Sequence, residues 1–169
     1  MSTGRLGVAT SRGAAEWSKI FLILSPTRTS RELIQEALGE AEKSRAELVV
    51  AYIVDSATTE AVRRQVKNNG FLGKAPSAEF IAAVRAEHER QGDEVLERIE
   101  REGERRGVPV RSLKLAGDFL TRSLEAAREA QAGTIFVTRS ERTRLSRLVD
   151  GSPVNELRSS VPFEVVVHG

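Results

Sequence analysis

The chain has no cysteine, two histidines, and one each of tryptophan, tyrosine and methionine. Without cysteine there can be no disulfide and no thiolate chemistry, and the composition fits a reducing, cytoplasmic setting. His88 and His168 lie far apart in the chain, and with no thiols they make no metal-ligand set. No histidine stands as a base for Ser25, Thr27, Ser140 or Ser152, or as a partner for Asp118, so a serine-type triad is not expected. The chain therefore reads as a non-enzyme without catalytic residues or metal. No apolar run approaches the roughly 20 residues needed to cross a bilayer. The first 17 residues lack the apolar core of a signal peptide and read as a flexible extension, leaving residues 18–169 as one domain. Neither sign of charge dominates, with 26 Lys and Arg against 24 Asp and Glu. The net charge of +2 gives no bulk electrostatic case for nucleic acid.

What is present is an alternation of short apolar runs with amphipathic segments. Residues 19–24 (KIFLIL) and 48–54 (LVVAYIV) have the length and composition of buried strands. Between them Leu33, Ile34, Ala37, Leu38 and Ala41 recur at helical spacing, with Thr29 and Glu32 as a capping box. Residues 55–76 are irregular, with a polar helical piece near 58–67. Ser77 opens a long helix to about Arg106, whose apolar stripe runs Ile81, Val84, His88, Gly92, Val95 and Ile99. Gly92 and Gly103 each cost about 1 kcal/mol in a helix against alanine, so a close approach to a sheet is the reading that justifies them. The glutamates and arginines of 85–106 read as a solvated face with i,i+4 pairs. Gly107 and Pro109 end the helix. A strand at 110–115, a loop at Gly117-Asp118, a helix at 120–130 and strands at 134–137 and 163–167 complete the pattern. This predicts a three-layer α/β fold: a five-stranded parallel sheet of order 3-2-1-4-5 with helices on both faces.

The stretch 134–160 holds the chemistry. The apolar run Ile135-Phe136-Val137 leads into an arginine-rich loop that closes on Gly151-Ser152-Pro153. Ser152 suits an N-cap and Pro153 the first helical position. A strand, a loop and a helix N-terminus together make a common anion or nucleotide site.

This stretch resembles the C-terminal signature of the universal stress protein family, in which G-x2-G-x9-G-[ST] wraps the phosphates of ATP. Gly151 and Ser152 match its last pair, whereas Thr138 and Glu141 stand where the first two glycines belong. The resemblance extends from Lys19 to His168 and implies the adenine nucleotide alpha hydrolase-like fold. In ATP-binding members an aspartate ends the first strand. Its match is Ser25, in Ser25-Pro26-Thr27 where the family usually has Asp-Gly-Ser. A backbone group matching Ile53 contacts adenine, and Gly117 lines the site. A β-branched threonine suits positive φ poorly, and Glu141 would repel a triphosphate. Arg139 and Arg142, with Arg144 and Arg147, could neutralise it or bind phosphate themselves.

The resemblance thus implies a non-catalytic regulatory or stress-response protein with ATP binding lost or weakened and no cofactor. The alternative is a switch that binds ATP or AMP through a noncanonical phosphate loop, with slow hydrolysis. The resemblance further implies a homodimer through Phe163, Val165, Val166 and Val167 of the last strand, and a regulatory protein partner of unknown identity. Nucleic acid and membrane are not expected.

Overall fold

A computed structural model describes residues 18–55, 60, 63, 64, 78–138 and 164–168. The elements in chain order are β1 (Lys19–Leu24), α1 (Arg31–Ser44), β2 (Glu47–Asp55), α2 (Ala78–Arg106), β3 (Val110–Gly117), α3 (Phe119–Ala130), β4 (Thr134–Thr138) and β5 (Glu164–His168). The body of the sheet is the parallel set β3-β2-β1-β4, and β5 adds to β4 by backbone pairing from Thr134↔Glu164 to Thr138↔His168. Residues 139–163, with the expected loop, final helix and Phe163, lie outside the described residues, as do residues 1–17 and Trp17.

Alternation along β1 splits the core. Ile20, Leu22 and Leu24 face α1 and α2, joining Leu33, Leu38, Leu48, Val50, Tyr52, Leu96 and Ile99. Phe21 and Ile23 face α3, joining Val49, Ala51, Ile53, Phe119, Ala127, Ile135 and Val137. Helices on both faces explain why β1 and β2 are apolar almost throughout, since both sides of each strand are covered. The edge strand β3 is only half-buried at Val110, Leu113 and Leu115. Burying one such aliphatic side chain fully is worth about 1.5–3 kcal/mol, so the central strands carry most of the core.

The cap of α1 differs from expectation. Ser30, not Thr29, is the N-cap: its Oγ accepts from Leu33 N at 3.3 Å, and its carbonyl takes the first helical bond from Ile34 N at 3.1 Å. Thr29 instead donates its hydroxyl to Ser25 O at 2.8 Å, which ties the preceding turn to the helix. Glu32 still takes part, accepting from Ser30 Oγ at 3.0 Å.

Along α2 the buried residues are Gly92, Leu96, Ile99 and Gly103, while Ile81 and Val84 are only half-buried and Val95 flanks the contact. The stripe therefore meets the sheet mainly over the second half of the helix. A Cβ on Gly92 would lie 2.6 Å from Tyr52 Cδ1, and one on Gly103 would lie 2.4 Å from Val110 Cγ2 and 2.9 Å from Val108 O. Both glycines thus sit where the helix backbone touches the sheet. The outer face of α2 is laced with ion pairs, among them Arg90–Glu87 at 2.7 Å and Arg101–Glu97 at 2.6 Å, and Arg106–Glu102 at 2.9 Å lies on the side toward α1. Arg106 also reaches Gln35 and Glu42 on α1.

Candidate functional site

In an open parallel sheet the crevice for a ligand opens beyond the carboxyl ends of the strands, where the strand order reverses. Here that point lies between β1 and β4, which pair from Ile20↔Thr134 to Ile23↔Val137. β1 runs straight into a four-residue turn. Arg28 N donates to Ser25 O at 3.0 Å, and Ser25 N donates to Arg28 O at 3.2 Å. Pro26 suits the second position of such a turn because its φ is already fixed. Ser25 is only 1% exposed, and its carbonyl also receives the Thr29 hydroxyl.

The turn sends the side chain of Arg28 across the crevice. Its Nη1 donates to Thr138 O, the last residue of β4, at 3.1 Å. Its guanidinium carbon stands 4.5 Å from the centroid of the Phe119 ring, a cation–π distance. Arg28 is 6% exposed. Burial lowers its pKa, and the negative charge of Asp55 at the end of β2 works in the opposite direction. Arg28 stays charged even so, because guanidinium is not deprotonated in proteins.

The other side of the mouth is set by β2 and β3, with Asp55 opposite Gly117. Gly117 has φ +136, a conformation L side chains rarely adopt. Asp118 follows as N-cap of α3, its Oδ2 accepting from Thr121 N and Thr121 Oγ1, each at 2.8 Å. That cap starts the helix at Phe119, one residue earlier than the apolar pattern suggested, and places the Phe119 ring under Arg28.

Of the residues expected in the site, Ser25, Pro26 and Thr27 form the turn at the end of β1, and Thr138 ends β4 beside them. Thr138 is a strand residue paired with His168, and it is not among the residues of positive φ. Ile53 is fully buried in β2, with its side chain in the core on the α3 face. Gly117 lies across the mouth at the end of β3. Arg139, Glu141, Arg142, Gly151 and Ser152 lie outside the described residues. Val165, Val166 and Val167 belong to β5, and Val166 packs in part against the core on the α1–α2 face. Arg28, Phe119 and Asp55 were not expected in the site. Nothing in the sequence set Arg28 apart beyond its place in the loop after the apolar strand β1.

The chain matches the family model for the universal stress protein family over residues 16–168. No curated protein matches it. Among solved structures, the universal stress protein UspA from Lactobacillus plantarum is 12% identical, with a TM-score of 0.66 over 90% of this chain and 98% of that one. A universal stress protein family member from Burkholderia pseudomallei is 25% identical, with a TM-score of 0.54 over 91% and 97%. A universal stress protein solved in complex with cAMP is 15% identical, with a TM-score of 0.53 over 90% and 96%. Among the described residues no helix is long and apolar enough to cross a membrane.

Proposed function

The chain belongs to the universal stress protein family, and from that premise we propose that it is a non-catalytic regulatory protein of the stress response in which ATP binding is lost or much weakened. The observation that supports this reading is how the described mouth uses its carboxylates. Ser25, a buried hydroxyl residue closed into a turn, stands where the resemblance calls for an aspartate. Asp118 is committed to capping α3, and the charge of Asp55 acts on Arg28. Among the described residues, both carboxylates at the mouth, Asp55 and Asp118, therefore already interact with protein groups. The substitutions Thr138 and Glu141 in the phosphate-loop motif point the same way.

In this reading the protein works in the cytoplasm as a homodimer and acts on a regulatory protein partner. Support for the dimer comes from β5, which is the terminal strand of the sheet and pairs only with β4 among the described residues. An edge strand of this kind is a template for a second copy. Sedimentation at micromolar concentration is expected to give a dimer, and a monomer there would remove this part of the proposal.

The alternative is an adenine-nucleotide switch with a noncanonical phosphate loop, capable of slow hydrolysis. It is favoured by the cAMP complex of one structural neighbour. Calorimetric titration with ATP and magnesium, then ADP and AMP, separates the two. No heat at millimolar nucleotide is expected, and micromolar binding would replace the first reading with the second.

A further inference from the structure

Resting on the reading that the nucleotide site is silent, we propose that Arg28 is what keeps it so: its side chain is a built-in occupant of the crevice between β1 and β4, filling from within the space a planar ligand would take. Two contacts and one nearby charge define this seat. The guanidinium lies over the Phe119 ring at 4.5 Å. One of its N–H groups bonds the main-chain carbonyl of Thr138 at 3.1 Å. The carboxylate of Asp55, from the third strand end at the mouth, supplies a favourable charge. An aromatic face, a carbonyl acceptor and a nearby carboxylate suit a flat, hydrogen-bond-donating cation, and Arg28 is one.

The turn explains why the side chain goes inward. The two backbone bonds between Ser25 and Arg28 fix the Arg28 backbone against the strand end, and the Thr29 hydroxyl on Ser25 O braces the turn from the helix side. An arginine in a free loop would keep its charge in water, because desolvating it is costly. Here the charge is 6% exposed and held across 110 residues of sequence. The contact joins the start of the first βα connection to the point where the chain leaves β4 for the arginine-rich loop. The arginine therefore also pins the end of β4.

The test uses the full chain with adenosine, which carries no phosphate and so reports on the crevice without involving the substituted phosphate loop. Ligand-observed NMR and calorimetry are run on the wild type, Arg28→Ala and Arg28→Gln. Glutamine is shorter than arginine but keeps a donor for Thr138 O, which guards the fold if alanine does not. Circular dichroism establishes that each variant is folded. The expected result is a silent wild type and folded variants whose adenosine affinity rises at least about tenfold, a difference of about 1.4 kcal/mol. Folded variants as silent as the wild type would overturn the proposal while leaving the loss of nucleotide binding intact. A wild type that binds adenosine as well as the variants do would overturn both. Millimolar ethylguanidinium is expected to raise the melting temperature of Arg28→Ala and leave the wild type unchanged. An identical response in both proteins would show that no guanidinium seat exists and would also overturn the proposal.

Discussion

Two contacts place a helix against the sheet, and they are built on opposite principles. Under α2, Gly92 and Gly103 let the backbone approach Tyr52, Val108 and Val110 so closely that not even a methyl group fits. At the mouth, α3 begins on Asp118 and Phe119, and contact with the β1 turn is made by a buried charge, a ring and a main-chain carbonyl. The first contact is specified by volume, because close-packed interiors have no spare space. The second is specified by polarity, because a buried cation must find partners. A region of the first kind should respond to added atoms, and one of the second kind to lost acceptors and donors.

The largest effect is expected from Gly103→Ala. Helix propensity alone favours alanine by about 1 kcal/mol. Forcing a methyl against Val110 and a backbone carbonyl costs up to about 3 kcal/mol, so the net is a loss of about 2 kcal/mol by denaturant titration. Gly92→Ala meets the buried Tyr52 ring and should lose about 1 kcal/mol. Stabilisation by either variant would erase the contrast with the mouth. At the mouth, Asp118→Ala removes the acceptor for Thr121 N and should cost about 1 kcal/mol, whereas Asp118→Asn keeps a capping oxygen and should cost less. Equal losses would show that the cap acts by charge alone.

A smaller effect tests polarity inside the apolar contact. His88 lies one turn before Gly92, and its Nδ1 is buried without a hydrogen-bond partner. Burial lowers its pKa from 6.5, opposed by the charge of Glu87. The unfolded chain therefore takes up this proton more readily than the folded one. The contribution is complete above about pH 6.5 and is lost as pH falls below it. Melting temperatures of wild type and His88→Gln, measured from pH 7.5 to 5, should show the wild type losing more on acidification. Parallel curves would mean the ring is solvated. The smallest effect is expected on the outer face of α2, where Arg90 bridges Glu87 and Glu94 in solvent. Arg90→Ala should leave the melting temperature unchanged, as exposed pairs usually do.

The glycines show how far the sequence could be read. Their cost in a helix was visible from the residues, and so was the inference that something must come close; Tyr52 and Val110 as the neighbours were not. The caps were legible to within a residue, since Ser30 and Thr29 are both capping types and only the direction of the chain out of the Ser25 turn assigns them. Ser25, Pro26, Thr27 and Thr138 were placed at strand ends by simple apolar-run arithmetic, and the structure puts them together at one mouth. Arg28 was not legible. A lone arginine after Ser-Pro-Thr has the composition of a solvated loop, and its partners Thr138, Phe119 and Asp55 come from three other elements.

The three-layer α/β plan and the family follow from the residues alone. Apolar runs of strand length, alternating with helical periodicity, leave few ways to bury both faces of β1 and β2. Tertiary structure decided where charge and volume are permitted: which glycines have no room for a methyl group, and which arginine is buried. Those outcomes depend on pairs of groups distant in sequence and brought within a few ångströms by the sheet. Local pattern constrains only neighbours a few residues apart, so it carries no record of them.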